Sequence, residues 1–160
     1  MPAPAETARS SLATNRKARF DYHVAETIEA GIELRGTEVK SARACEISLP
    51  GGFVRIAAGE ALLDHVTIAT YPSGNRFNHD PERPRRLLLH RREIKRLQAR
   101  VEQEGYTIVP LRMYLKHGLV KVELGVCKGK QKFDKREAVL RRDADRQAAR
   151  AVARGVRRHT

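Results

Sequence analysis

The sequence predicts a mainly β protein: an antiparallel β-barrel with two to three short helices, followed by a flexible, helix-prone basic C-terminal tail. Three observations predict it. Apolar and polar residues alternate in several segments, which is the two-residue period of a strand. Glycines mark the turns between these segments. Charge is concentrated at one end, since residues 128–160 hold 12 basic and 4 acidic side chains of the 32 and 19 in the chain.

The first strand and the first helix follow one another directly. In RFDYHVAETIEAGIEL, Phe20 and Tyr22 alternate with polar residues and predict a strand, while Gly31 indicates a bulge or sharp bend near its end. A short helix is predicted in GTEVKSARA. Thr37 is its expected N-cap, and Glu38 falls in the first turn, where a negative charge is favourable.

Two hairpins and a second helix complete the predicted domain. FVRIAAGEALLDHVTI is typical of a hairpin with Gly59 in its turn, and YPSGNRFNHDPERPRR is too rich in Pro, Gly and Asn for regular structure. A helix is predicted from about His90 to Glu104, with Gly105 as its C-terminal stop. Its predicted apolar face carries Ile94, Leu97 and Val101. YTIVPLRMYLKHGLVKVELGV is predicted to be a hairpin that turns at residues 116–118.

The second hairpin also predicts which side chains reach the core. One face of its first strand carries Val109, Leu111, Met113 and Leu115, and one face of its second strand carries Val120, Val122, Leu124 and Val126. Five or so antiparallel strands with inserted helices favour a small barrel of the oligonucleotide-binding type. An α+β sandwich with a flat sheet has the same periodicity, so both topologies stay open here.

The chain is predicted to have three parts: a flexible N-terminal arm at residues 1–14, a barrel domain at 15–128 and a basic tail at 129–160. The tail composition favours helix but offers few large apolar residues for packing. Its arginines form a row of like charges at every fourth position: Arg142, Arg146, Arg150 and Arg154. We expect the tail to be mostly disordered alone and helical when phosphates neutralise this row. A solvated helix without a partner is the alternative.

A net charge of +13 predicts a polyanion as partner, because each Lys or Arg that neutralises a phosphate releases a condensed counterion. RPRRLLLHRREIKR, residues 83–96, is the densest basic cluster of the domain; phosphate contact and a solvated helix face explain it equally well. From their spacing, three glutamates of the first strand are predicted to lie on one face of that strand: Glu26, Glu29 and Glu33. A metal site there would need further acids, so we predict surface salt bridges.

Several kinds of site are excluded by residue spacing. The loop GVCKGKQKFDKRE has only three residues between Gly125 and Gly129, and no hydroxyl residue follows Lys130, so it is not an NTP-binding loop. No nucleophile elbow occurs, and Cys45, Cys127 and the six histidines lack metal-ligand spacing. We therefore predict no enzyme activity, no metal and no cofactor. The N-terminus lacks a secretory apolar segment, and no apolar run approaches the roughly 20 residues of a membrane span, so we expect a cytoplasmic monomer.

Four segments in matching order and spacing carry a resemblance to a known family: NRKARFDYHVAETIEAGIELRGTEVKSAR, DPERPRRLLLHRREIKRL, EGYTIVPLRMYLKHGLVKVELGVCKGK and DKRE. From Asn15 to about Arg146 the chain resembles the SsrA-binding protein family, SmpB. That family is the protein partner of transfer-messenger RNA (tmRNA, or SsrA RNA) in bacterial trans-translation, the rescue of stalled ribosomes. The resemblance implies an oligonucleotide-binding-type barrel that holds the tRNA-like domain of tmRNA. It also implies a tail that is helical in the small-subunit decoding centre and the empty messenger channel.

The resemblance further implies which residues face RNA. On the barrel these are Asn15, Lys17, Arg19, Glu29, Lys40, Arg43, Arg86, Leu88 and Lys128. At the decoding centre they are Gly129, Lys130, Phe133, Asp134, Lys135 and Arg136, and Lys132 and the arginine row extend this set. An acidic residue in an RNA surface is expected to act through geometry, so Glu29 would accept a hydrogen bond from a base or position a basic neighbour.

Two residues depart from the family pattern. Gln131 replaces a second lysine, for which neighbouring Lys132 can compensate, and Cys45 replaces the glycine usual after the first helix, so the local backbone is expected to differ. Phe133 stands where the family often has Tyr or His, which favours stacking on an unpaired base over packing against the domain. The alternative function is a ribosomal or generic structured-RNA-binding protein without tmRNA specificity, which explains the charge but not the ordered motifs.

Overall fold

The computed structural model describes residues 9–72, 78–130 and 132–158. Two compact units divide the chain, Met1–Lys128 and Gly129–Thr160. In chain order the elements are β1 (Arg9–Thr14), α1 (Arg16–Asp21), β2 (Tyr22–Ile32), α2 (Gly36–Arg43), β3 (Ile47–Ser48), β4 (Phe53–Ala57), β5 (Glu60–Asp64), β6 (Thr67–Ile68), β7 (Arg85–Leu88), α3 (Arg91–Glu104), β8 (Thr107–Lys116), β9 (Leu119–Gly129) and α4 (Lys132–Arg158).

The strands form one curled seven-stranded sheet and one small pair. The order in the large sheet is β1-β8-β9-β2-β7-β5-β4, and β3 pairs with β6. The pairs β1–β8, β8–β9, β2–β7, β7–β5 and β5–β4 run antiparallel. Cα atoms of β4 come within 8 Å of those of β8, although these strands lie far apart in the sheet order. The sheet therefore curls back on itself as in a barrel, and the predicted mainly β class is confirmed.

The β8–β9 hairpin lies at the centre of the core. Its turn is formed by His117 and Gly118, whose φ angles of 53° and 77° are in the left-handed region. The prediction for β9 is confirmed, because the four side chains on its inner face are at most 8% exposed and belong to one apolar cluster: Val120, Val122, Leu124 and Val126.

A bulge interrupts the inner face of β8, so the predicted single face is wrong. The register with β9 shifts at Leu111. Because one extra residue reverses the alternation of side chains, residues before and after a bulge point to different faces. Val109 and Leu111 accordingly pack with Ala18 in a small second cluster, whereas Met113 and Leu115 pack with the main core.

Helix α3 has the predicted position and buried face. The backbone N–H of His90, the N-cap, donates to Glu93 Oε2 over 3.1 Å. Ile94 and Leu97 are buried in the main core. Gly105 follows the helix with a φ of 72°, the left-handed conformation in which glycine avoids a Cβ clash.

The N-terminal arm differs from the prediction. Residues Arg9–Thr14 form strand β1, which pairs antiparallel with β8 and is not a flexible arm. Leu12 of this strand is 7% exposed and packs in the main core. The segment RSSLAT contains one large apolar residue, so it gives almost no periodicity from which a strand could be predicted. Residues 1–8 of the predicted arm lie outside the described residues.

A helix replaces the start of the first predicted strand. Phe20 lies in α1, and β2 begins only at Tyr22. Gly31 makes no bend, since β2 is continuous to its end; a Cβ at this position would lie 3.1 Å from the Cβ of Leu88 on β7. Glycine is needed here for close approach of two strands.

The N-cap of α2 is Arg35 and not Thr37. Thr37 lies inside the helix, where its hydroxyl is 2.8 Å from Nδ1 of His79. The predicted place of Glu38 in the first turn is confirmed, and its Oε1 accepts a hydrogen bond from the N–H of Arg35 over 3.0 Å. The prediction of Thr37 as the cap failed because a distant histidine, absent from the local pattern, is its partner.

The second unit is a single long helix. Helix α4 confirms the helix-prone character of the tail, and its described side chains between Arg136 and Arg154 are all exposed, including Leu140 and Val152. That the free tail is mostly unfolded in solution stays a prediction, based on the small apolar surface it can bury. Within the described ranges, no helix has both the length and the apolar character needed to cross a membrane.

The two cysteines lie in opposite environments. Cys45 is exposed, and its φ of 61° is in the left-handed region that favours glycine. Cys127 is buried, and burial raises the pKa of its thiol to about 11. Neither thiol is part of a disulfide.

Candidate nucleic-acid interface

The barrel residues predicted to face RNA lie on distinct elements of the first unit. With one exception their side chains are exposed: Lys17 and Arg19 on α1, Lys40 and Arg43 on α2, Glu29 on β2, Arg86 and Leu88 on β7, and Lys128 on β9. Asn15 is the exception, at 2% exposure.

Three of these residues come together in one concave site. Glu29, Arg86 and Leu88 line a cavity of about 410 Å³, which Lys121 and His90 also line. Leu88 is 52% exposed, so the site presents an apolar side chain among two cations, a histidine and three carboxylates, those of Glu29, Glu60 and Glu93. This combination fits a nucleotide, which offers an apolar base face, polar base edges and phosphates. Sequence reasoning did not name Lys121 or His90 as RNA-facing residues, although both lie in segments that carry the family resemblance.

Glu29 is held in place by two residues of β8. The hydroxyl of Tyr114, a residue only 1% exposed, donates to Glu29 Oε2, and Lys116 Nζ lies 3.2 Å from Glu29 Oε1. A carboxylate fixed in this way presents its remaining acceptor capacity in a defined direction. This geometry supports the expectation that Glu29 acts through hydrogen-bond geometry rather than through net charge.

Asn15 is placed as a structural residue. Its Nδ2 donates to the carbonyl oxygen of Pro110 over 2.9 Å, and its Oδ1 accepts the N–H of Ala18 over 3.1 Å. The side chain thereby caps α1 and joins it to β8. Asn15 therefore influences RNA binding by fixing the position of α1, the helix that carries Lys17 and Arg19.

A buried group of charged residues fixes α2; we call Glu38, Arg83 and Arg85 the Glu38 cluster. Glu38 and Arg85 are both 0% exposed, and the guanidinium groups of Arg83 and Arg85 each donate to the Glu38 carboxylate. Arg85 also donates to the carbonyl oxygens of Val66 over 2.7 Å and Pro81 over 2.9 Å. Burial alone would raise the pKa of Glu38, but the bonds from Arg85, the Arg35 N–H and Arg83 outweigh it and lower that pKa.

A histidine makes a second connection beside this cluster. His79 is 4% exposed, and its Nε2 lies 2.8 Å from the carbonyl oxygen of Ile68 on β6. Since a carbonyl only accepts, Nε2 donates to it, while Nδ1 shares a 2.8 Å hydrogen bond with the hydroxyl of Thr37 on α2. These contacts on the buried side of α2 fix the position of the helix. On its exposed side, Lys40 Nζ lies 5.0 Å from the ring centroid of Tyr71.

The chain leaves the barrel beside an aromatic ring. Lys128 Nζ lies 4.6 Å from the ring centroid of Tyr106, and the guanidinium carbon of Arg100 lies 4.4 Å from it. The face of an aromatic ring attracts a cation electrostatically, and this attraction favours the observed position of the Lys128 side chain. At Gly129 a Cβ would meet no atom within 4 Å, so that glycine is not required by crowding.

The tail residues predicted to face the decoding centre are only partly described. Lys130 is half-buried and Arg136 is exposed. The arginine row, Arg142, Arg146, Arg150 and Arg154, is exposed along α4. The side chains of Lys132, Phe133, Asp134 and Lys135 lie outside the described residues, although their backbone belongs to α4. The stacking role of Phe133 therefore stays a prediction.

The basic cluster at residues 83–96 divides into buried and exposed cations. Two of its arginines, Arg83 and Arg85, belong to the Glu38 cluster and donate to the buried Glu38 carboxylate. Arg96 Nη1 pairs with Glu26 at 2.7 Å. Exposed cations that can contact phosphate lie on β7 and on the first turns of α3. On β7 Arg86 also lies 3.9 Å from Glu33 and 3.7 Å from Glu60, and α3 carries Arg91, Arg92 and Lys95. The composition of residues 83–96 could not show which cations are paired, because their partners Glu38 and Glu26 lie in distant segments of the chain.

The predicted surface salt bridges of the three glutamates are confirmed. Glu26, Glu29 and Glu33 lie 2.7, 3.2 and 3.9 Å from their cationic partners, which are Arg96, Lys116 and Arg86 respectively. The predicted common face is wrong, because Glu26 is an odd number of positions from the other two and successive strand residues point to opposite faces. No group of three or more His, Cys, Asp or Glu side chains in the described part of the chain could hold a metal ion.

Comparison with known proteins gives one consistent result. Residues 12–154 match the family described as SmpB protein. An SsrA-binding protein of Levilactobacillus brevis is 56% identical over 147 residues, which is 92% of this chain and 94% of that protein. An SsrA-binding protein of Roseiflexus sp. (strain RS-1) is 55% identical over 148 residues, again 92% of this chain and 94% of that protein.

A solved structure agrees with the sequence matches. The structure described as "tmRNA-SmpB: a journey to the center of the bacterial ribosome" contains a chain that is 48% identical. It superimposes with a TM-score of 0.64 over 79% of this chain and 93% of that one. With a family match over most of its length and relatives above half identity, the chain belongs to the SmpB family of SsrA-binding proteins.

Proposed function

We propose that this protein binds the tRNA-like domain of tmRNA and delivers it to stalled ribosomes in trans-translation. The observation that carries the proposal is the likeness to SsrA-binding proteins over 92% of the chain at 56% identity. The net charge of +13 and the nucleotide-sized site around Glu29, Arg86 and Leu88 support it, since both fit an RNA partner.

In this proposal the two units have different partners. The barrel residues named above, from Lys17 to Lys128, hold folded RNA, and Asn15 supports them from inside. The tail, from Gly129 onward, enters the small-subunit decoding centre and the empty messenger channel, where the arginine row meets ribosomal phosphates. The protein acts by binding and placement, and we propose no catalytic step, cofactor or metal for it.

Shape selectivity distinguishes this function from generic RNA binding. We would measure binding to the tRNA-like domain of tmRNA and to an unstructured RNA of the same length, at low and at physiological salt. Purely electrostatic binding to phosphates falls steeply as salt rises, because counterion release loses its advantage. A preference for the tRNA-like domain that survives the higher salt supports the proposal. Equal affinities that fall together would leave a generic basic protein and contradict it.

A further inference from the structure

The Glu38 cluster joins two elements whose outer sides carry predicted RNA contacts. On α2, Glu38 is buried, while Lys40 and Arg43 are open to solvent; we call these two the α2 cations. On β7, burial alternates strictly along the strand, so that Arg85 points inward and its neighbour Arg86 outward. One interior contact therefore sets the separation and orientation of two outward-facing groups.

Stability alone would not select an ion pair at this position. Taking two charges out of water carries a large penalty, and apolar side chains of similar volume are often equally or more stable. An ion pair with directed hydrogen bonds does impose a geometry. Arg85 donates to Glu38, to Val66 and to Pro81 at the same time, so α2, the segment before β6 and the loop before β7 meet at one guanidinium.

We propose that Glu38 and Arg85 are positioning residues for RNA binding, which hold the α2 cations at a fixed distance from the outer face of β7. The inference rests on the proposed function and adds two residues to it that are fully buried and cannot contact RNA directly. A folded RNA presents its phosphates at fixed distances, so its affinity depends on this spacing. A flexible single strand adapts its phosphate spacing, so its affinity does not.

A double-mutant cycle on the full-length protein tests the proposal. Arg85→Lys keeps the charge, but an ammonium group cannot reproduce the three directed contacts of the guanidinium. The double substitution Lys40→Ala and Arg43→Ala removes the α2 cations. Binding of the tRNA-like domain and of an unstructured RNA of equal length is measured for wild type, each variant and their combination. The temperature is one at which circular dichroism shows all four proteins folded.

A positioning role predicts coupling between the two changes. Arg85→Lys is expected to weaken binding of the tRNA-like domain about tenfold, and removal of the α2 cations then weakens it by clearly less than in wild type. Binding of the unstructured RNA is expected to be the same for wild type and Arg85→Lys. Independent, multiplicative effects of the two changes would overturn the proposal, and so would an equal loss for both RNAs.

Two controls separate positioning from stability. Leu97→Ala lowers Tm by creating a cavity in the core below α3 and should leave RNA affinity unchanged in the folded protein. Arg55→Lys makes the same chemical change at another ion pair, the 2.7 Å contact with Asp64 on the β4–β5 hairpin, and should also leave it unchanged. If wild type does not prefer the tRNA-like domain, the proposed function fails. If wild type prefers it and the cycle shows no coupling, only the positioning role fails.

Discussion

Two basic helices of this chain differ in what they bury. In α3, Ile94 and Leu97 are 7% and 0% exposed, so the helix packs on the core. In α4, which is almost twice as long, every described side chain from Arg136 to Arg154 is exposed. Most helical stability in proteins comes from a packed apolar face, so α3 is part of a fixed scaffold whereas α4 depends on local propensity and on its surroundings.

This difference shows that arginines can have two functions, depending on whether their helix packs on the core. On a packed helix, arginine positions are fixed and can form defined ion pairs, as between Arg96 and Glu26. On a helix whose described side chains are all exposed, arginines repel one another, and their conformation responds to any anion that neutralises them. We therefore assign folded-RNA recognition to the first unit and ligand-dependent ordering to the tail.

Truncation after Lys128 tests this division most strongly. Because the described side chains from Arg136 to Arg154 are exposed, the truncated protein should keep its Tm within about 2 °C and keep most of its affinity for the tRNA-like domain. Peptide tagging on stalled ribosomes should fall to background in a reconstituted translation assay. Tagging by the truncated protein would contradict the assignment of the tail to the decoding centre, and loss of RNA binding would contradict the assignment of the barrel.

Hydrogen exchange compares the two regions directly in the free protein. Amides of the β8–β9 hairpin should exchange only on global unfolding, whereas those of α4 should exchange at least about 10³-fold faster after correction for sequence. Adding the ribosomal small subunit should slow the α4 amides. Protection of α4 in the free protein equal to that of the hairpin would show a stable helix and contradict the coupled-folding hypothesis.

Glu38→Gln should produce the largest loss of stability, because it leaves Arg85 charged and buried without its counter-ion. We expect a loss of about 3–5 kcal/mol at neutral pH, measured by urea unfolding. The pKa of Glu38 in the folded protein lies below its ordinary value of 4.5, so the unfolded state binds the proton more tightly. The stabilisation is thus fully present above about pH 4.5 and is lost as the pH falls below it.

The difference in stability between wild type and Glu38→Gln should accordingly shrink as unfolding is measured from pH 6 towards pH 3. Glu46→Gln is the matched control, since Glu46 is exposed and its substitution should leave the pH dependence almost unchanged. A difference that stays constant over this range would mean that the carboxylate charge of Glu38 is not what stabilises the fold.

Glu29→Arg should weaken RNA binding although it raises the net charge. Loss of the fixed carboxylate removes an acceptor and the contacts that Tyr114 and Lys116 make with it, so we expect about a tenfold loss for the tRNA-like domain. Glu46→Arg makes the same charge change at an exposed position and should bind equally or slightly more tightly. Tighter and still selective binding by Glu29→Arg would show that charge alone matters at this site.

Cys45→Gly should have the smallest effect. Relief of the left-handed conformation contributes about 1 kcal/mol, and the greater freedom of glycine in the unfolded chain offsets about half of it. We therefore expect a rise in Tm of about 1–2 °C by calorimetry. Cys45→Ala keeps a Cβ and should give no such gain; equal gains for both variants would mean that the thiol, not the backbone, is responsible.

Regular, strongly periodic segments could be predicted from sequence, and long-range contacts could not. The β8–β9 hairpin and α3 follow from alternation, a helical apolar face and Gly105. Strand β1 was missed because edge strands with one apolar residue have no pattern, and the bulge at Leu111 was missed because it depends on register with β9. At the site, the family resemblance predicted the exposed residues. It did not predict the roles of Tyr114 and Arg85, because their partners Glu29 and Glu38 lie 85 and 47 residues away in the sequence.

The unequal burial of the two thiols has a practical consequence. At neutral pH the Cys127 thiol is almost entirely protonated and enclosed, so a maleimide dye should react only with Cys45. Cys45 lies two residues after the end of α2. The natural chain therefore offers a single labelling point close to the α2 cations, where a fluorophore can report the arrival of RNA without any substitution in the protein.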